Sequence, residues 1–186
     1  MTAPRTTVYT VGHSTLPIER FLAMLCAHDI ERLADVRTVP RSRRNPQFNA
    51  EALAESLRAV GLEYVPLREL GGLRKPRADS PNAGWRNDSF RGYADYMQTP
   101  EFARGLERLL ELGRERRTAI MCAEAVPSHC HRSLVADALA VRGVPVVEIL
   151  GEAEQREHTL TPFARVQGTT ITYPPVQRGL LDEDAR

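Results

Sequence analysis

The strongest constraint on the fold is the alternation of two hydrophobic periods along the chain. Short β-rich runs at Thr6–Val11, Arg32–Val36, Glu63–Leu67, Thr118–Cys122 and Val144–Leu150 are separated by segments whose apolar residues recur at helical spacing. Strand, helix and strand in succession bury their apolar faces most simply as a crossover between parallel strands. The pattern predicts an α/β chain: a single three-layer α/β/α domain, Rossmann-like, with a mostly parallel sheet of about five strands. That domain is expected over residues 1–168, with a C-terminal extension over 169–186 that packs on it through Ile171 and Tyr173.

The helices carry their own start and stop signals. Ile18, Phe21, Leu22 and Leu25 form one apolar stripe, and Asn49 is placed to cap a helix carrying Leu53, Leu57 and Val60 that Gly61 ends. Thr99-Pro100-Glu101 combines a cap, a first-turn proline and a first-turn acid ahead of Phe102, Leu106, Leu109 and Leu110. A last helix from Arg132 to Arg142 turns Leu134, Val135, Ala138 and Leu139 inward and stops at Gly143. Two proline-containing polar stretches, Arg37–Asn49 and Gly71–Ser89, follow strands and read as long loops, a length that in compact domains often serves function.

At 186 residues and 42% hydrophobic, the chain can bury a core without disulfide or metal staples. Its three cysteines, Cys26, Cys122 and Cys130, are few and odd in number, and no signal-type apolar region precedes the first strand, so a reducing, cytoplasmic setting is expected. Apolar runs fall well short of the roughly 20 residues that span a bilayer, and membrane insertion is not expected. A net charge of +1 exerts no global pull towards nucleic acid. Locally, eleven basic residues face six acidic ones between Arg37 and Arg91, although Lys75 is the only lysine among 25 basic residues and arginine richness is partly compositional.

In open parallel sheets, ligands bind outside the carboxyl ends of the strands. There the predicted strands deliver Gly12-His13-Ser14, Asp35-Val-Arg37, Arg68-Glu69, and Cys122 followed by the Glu124–Arg132 loop. Cys122 can be a nucleophile activated by histidine and by Arg132 at a helix start, with His13, Asp35, Glu124 or His131 as acid or base. Ser14, Arg37, Ser42, Arg43 and Arg132 are the candidate binders of an anionic substrate. Strand, cysteine, loop, arginine and helix together resemble the catalytic loop of rhodaneses and cysteine phosphatases, whose loop is shorter than the nine residues between Cys122 and Arg132. Alternatively Cys122, Cys130 and His131 hold Zn or Fe, or Cys122 merely fills the edge of the core. Phe90, Tyr93 and Met97 read more simply as the core face of a helix than as a base-stacking platform; His28, His158 and Cys26 belong to no constellation.

The motifs Tyr9-Thr-Val-Gly-His-Ser14, Asp35-Val-Arg37, Pro40-Arg-Ser42, Asn45-Pro-Gln-Phe48, Tyr64, Leu70-Gly-Gly72, Phe90-Arg-Gly-Tyr-Ala94, Met121-Cys-Ala-Glu124 and Cys130-His-Arg132 together resemble a bacterial family known as domain of unknown function 488. The resemblance spans roughly Val8 to Leu150. It implies that His13, Ser14, Asp35, Arg37, Cys122, Glu124, Cys130, His131 and Arg132 form the family's characteristic polar set, and it implies no reaction. Three functional classes stand: an enzyme, a cysteine- or metal-dependent hydrolase or transferase acting on an anionic, nucleotide-like small molecule; a nucleic-acid-binding or accessory module that uses the basic loops 37–49 and 68–91; or a metal-binding domain without catalysis that holds Zn or Fe through Cys122, Cys130 and His131.

Overall fold

The structure, a computed structural model, describes residues 6–176. Five parallel strands form the sheet: β1 (Val8–Gly12), β2 (Arg32–Asp35), β3 (Glu63–Pro66), β4 (Thr118–Cys122) and β5 (Val146–Ile149). A short antiparallel strand, β6 (Gln155–Glu157), extends the edge beside β5. The order β3-β2-β4-β1-β5-β6 sets β4 between β2 and β1, whereas a Rossmann order would pair β1 with β2 directly. In register, Gly12 lies beside Cys122, and Asp35 beside Met121. The predicted mostly parallel sheet is present, and its central strand is the one that ends in Cys122.

Side chains alternate across each strand, and the two faces divide the helices. Tyr9, Val11, Leu33, Ala119 and Met121 pack against α1 (Ile18–Ala27) and α2 (Ala50–Ala59). Val8, Ala34, Val36, Ile120 and Cys122 pack against α3 (Asp88–Tyr96), α4 (Pro100–Glu115) and α5 (Arg132–Ala140). The result is a three-layer α/β/α arrangement. Helix α4 begins as its sequence predicts: the Thr99 hydroxyl accepts the Phe102 N–H, and Pro100 occupies the first turn. At α2 the cap prediction needs correction. Asn49 stands at the N-cap position, but its side-chain oxygen accepts the Ser42 N–H at 2.7 Å and ties down the preceding loop.

Three short strands carry no strong signal in the sequence, and one helix starts inside a predicted loop. Helix α3 carries Phe90 and Tyr93 on the core face that their spacing marks, and it begins in the last residues of the predicted Gly71–Ser89 loop, capped by the Asn87 side chain. Strand β6 is exposed along its whole length. Strands β7 (Arg165–Gln167) and β8 (Thr170–Thr172) form a hairpin that brings Ile171 and Tyr173 into the core beneath α4 and α5. No helix among the described residues is long and apolar enough to cross a membrane.

Candidate active site

Because β2, β4 and β1 are neighbours, their carboxyl ends bring three predicted clusters to one edge. Backbone bonds hold the segments together: His13 N–H donates to Cys122 O, Ser14 N–H to Ala123 O, and Val36 N–H to Met121 O. The edge opens as two adjoining chambers on opposite faces of the sheet. One, of about 430 Å³, lies on the α3–α5 side and is lined by Cys122, Cys130, His131, Gly72, Leu73 and Phe90 among others. The other, of about 370 Å³, is lined by His13, Ser14, Arg41, Ser42 and Asn45. Arg37, Val39, Ala123 and Glu124 line both and form the partition.

The second chamber rests on a buried fork. Arg37 donates to both carboxylate oxygens of Asp35, from Nε at 2.8 Å and from Nη2 at 2.7 Å, and to Phe48 O at 2.8 Å. Tyr64 donates its hydroxyl to the same carboxylate at 2.7 Å, and burial together with the Asp35 charge pushes the phenol's pKa up. Asp35 therefore orients Arg37 and does not reach His13. His13 lies stacked on Phe48 with ring centroids 4.1 Å apart. Its Nδ1–H donates to Ser14 O at 2.8 Å, which leaves Nε2 to accept Arg37 Nη1–H at 3.4 Å. Burial, reinforced by the Arg37 charge, lowers its pKa to about 4, so the ring is neutral at pH 7.

The first chamber is floored by sulfur. Cys122 and Cys130 set their Sγ atoms in mutual contact, with Cα atoms 7.3 Å apart, a pairing that the sequence does not predict. Arg132, wholly buried, donates from Nη1 to Cys122 Sγ at 3.2 Å and to Glu124 O at 2.8 Å, and from Nη2 to Ala125 O at 2.8 Å. It thus folds the loop over the cysteine, and burial lowers its own pKa only to about 10, leaving it charged. His131 Nε2–H donates to Val36 O at 3.1 Å, so Nδ1 is the acceptor and faces Cys130 Sγ at 3.6 Å. Burial takes the His131 pKa down to about 4.

Two glycines make room for this packing. A Cβ on Gly12 would stand 1.8 Å from Glu124 O and 2.5 Å from Arg132 Nη1, and one on Gly72 would stand 2.9 Å from His131 Nδ1.

The predicted polar set is thereby divided. His13, Ser14 and Ser42 line one chamber, Cys122, Cys130 and His131 the other, Arg37 and the exposed Glu124 stand on the partition, and the buried Asp35 and Arg132 lie behind the linings. Arg43 is exposed and outside both linings, where Arg41 stands instead. Arg132 directs its bonds to the loop and to sulfur. The zinc or iron reading finds no support: among the described residues, no three His, Cys, Asp or Glu side chains are placed to hold a metal ion. Thr38, Val39, Leu73, Asn87 and Ser89 also line the sulfur chamber. Only Leu73, an apolar side chain beside Gly71-Gly72, is unusual in its local sequence, and it is exposed with φ +59°.

A family model described as Domain of unknown function DUF488 matches residues 17–139. No curated protein and no solved structure matches the chain.

Proposed function

The chain belongs to the DUF488 family, and from the geometry of its cleft we propose that it is an enzyme using Cys122 as a thiolate nucleophile on a small anionic, nucleotide-like substrate. One observation carries this reading: the Nη1–H of a wholly buried, charged guanidinium lies 3.2 Å from Cys122 Sγ on a chamber floor. A cation hydrogen-bonded to sulfur favours the thiolate over the thiol. Arg41, Ser42, Asn45, Asn87 and Ser89 offer donors from the two linings, and Leu73 and Phe90 offer apolar contact to a base. Arg37 and His13 supply N–H groups and a neutral ring at the partition. The reaction class is transfer or hydrolysis through a covalent thio-intermediate. A reducing cytoplasm, where the thiols stay free, is part of the same proposal.

The test is alkylation of the reduced protein by iodoacetamide across pH 5–9 with peptide mapping. Cys122 should react at least tenfold faster than the exposed Cys26 near pH 6, and millimolar adenosine monophosphate should slow it. Arg41→Ala should remove that protection without altering the rate in the empty protein. A Cys122 no faster than Cys26 would sink the reading.

The nucleic-acid reading keeps one observation of its own. Arg41, Arg43 and Arg44 are exposed on one loop beside the cleft and form no ion pair among the described residues. Binding to single-stranded RNA or DNA that weakens steeply with salt and is lost in an Arg43→Ala/Arg44→Ala variant would support it.

A further inference from the structure

We infer that Cys122 and Cys130 are a dithiol–disulfide couple that exchanges electrons with disulfides of small anionic thiols, Cys122 attacking and Cys130 resolving. The inference deepens the nucleophile reading of Cys122 and rests on it. Its own basis is the different partner each sulfur has. Cys122 faces the fixed cation of Arg132 at 3.2 Å, a contact that favours its thiolate over that of Cys130. Cys130 faces the lone pair of His131 Nδ1, the ring's other nitrogen being held by Val36 O, so it has an acceptor for its proton. The two sulfurs touch, and both cysteines line the same open chamber. The third cysteine, Cys26, is exposed on α1 and takes no part. A lowered-pKa attacking thiol beside a resolving thiol is what exchange requires.

The exchange has two steps. Cys122 thiolate attacks one sulfur of the small disulfide; a mixed disulfide forms, the small disulfide's S–S bond breaks, and one thiolate leaves and takes a proton from water. Cys130, its S–H hydrogen-bonded to His131 Nδ1, then attacks the Cys122 sulfur and gives up its proton as the bond forms. The Cys122–Cys130 bond forms, the mixed bond breaks, and the second small thiolate leaves and takes up the proton that Cys130 releases, departing as the thiol. The small disulfide has gained two electrons and the protein dithiol has lost two; excess small thiol drives both steps backwards.

The experiment uses the full chain carrying Cys26→Ser, equilibrated in glutathione buffers of increasing oxidised fraction, quenched in acid, alkylated and weighed. The expected result is a single transition in which both alkyl tags disappear together with no glutathione added to the protein. In the same background Cys130→Ser should accumulate one glutathione on Cys122, and Cys122→Ser should take up glutathione at least tenfold more slowly. Circular dichroism establishes that each variant is folded. Both tags retained in the most oxidising buffer, or a glutathione on each cysteine, would overturn the couple. Rapid alkylation of Cys122 alongside either of those results leaves the nucleophile reading standing and removes only the couple; slow alkylation removes the nucleophile reading.

Discussion

At the scale of single residues, the site is governed by buried charges and by two positions that exclude a side chain. Asp35 is 1% exposed and Arg37 is 7% exposed, so Asp35→Asn leaves a buried guanidinium short of its counter-charge. A loss of about 3–5 kcal/mol is expected by chemical denaturation. Tyr64→Phe removes one donor while Arg37 still satisfies the carboxylate, and should cost about 1 kcal/mol. Gly72→Ala drives a methyl group into the His131 ring, whose own packing against Tyr93 leaves it little room. The variant should lose about 1–3 kcal/mol, and alkylation of Cys130 should slow relative to Cys122 as its proton acceptor moves away. A Cys130 rate unchanged in the folded variant would mean that His131 does not assist it.

At the scale of elements, α5 does more than close the cleft. It is buried along nearly its whole length, and on it Asp137 accepts His158 Nε2–H at 2.8 Å, Thr161 N–H at 3.1 Å and the Tyr173 hydroxyl at 2.8 Å. Glu148 of β5 takes the other His158 nitrogen at 2.9 Å and Arg156 Nε–H of β6 at 2.6 Å. Burial pulls the His158 pKa down, but the two carboxylates outweigh it and raise it to about 9. The imidazolium thus joins α5, β5 and the segment leading to the β7–β8 hairpin. A raised folded pKa means that the folded state binds more protons, so this stabilisation is complete below about pH 6.5 and is lost as pH climbs through about 9. Urea midpoints should fall from neutral to alkaline pH in the native chain, and His158→Gln should flatten that slope while lowering the neutral midpoint. Tyr173, 0% exposed, reports on the hairpin: Tyr173→Ala should cost about 3–5 kcal/mol by the same measurement.

At the scale of the whole molecule, stability is bracketed from both sides by histidines. His13 and His131 have folded pKa values lowered to about 4, so the unfolded chain binds more protons between about pH 4 and 6.5. Their stabilisation is complete above about 6.5 and is lost as pH falls through that window. For the well-buried His131 the loss is roughly 3 kcal/mol, at about 1.4 kcal/mol per pKa unit. With His158 acting on the alkaline side, thermal midpoints plotted against pH should peak near 6.5. His131→Asn should move the acid limb and leave the alkaline limb in place. A flat acid limb in the native chain would contradict the buried neutral state of these rings.

What the amino-acid sequence settled alone was the layered architecture, because hydrophobic period and capping chemistry are local: strand β4 appears at its predicted bounds, and Thr99 caps α4 as its motif requires. The strand-end rule also located the polar edge. Tertiary structure decided how that edge is divided. The position of β4 between β1 and β2 is set by non-local pairing, and it is this order that puts His13 on one side of the partition formed by Arg37 and Glu124 and Cys122 with Cys130 on the other. The same limit hid the Tyr64–Asp35 bond, 29 residues apart, and the cluster of Asp137, Glu148, His158 and Tyr173. Each partner there is an ordinary residue in its own stretch of chain. A buried carboxylate or imidazole acquires its charge state only from the groups that folding brings against it.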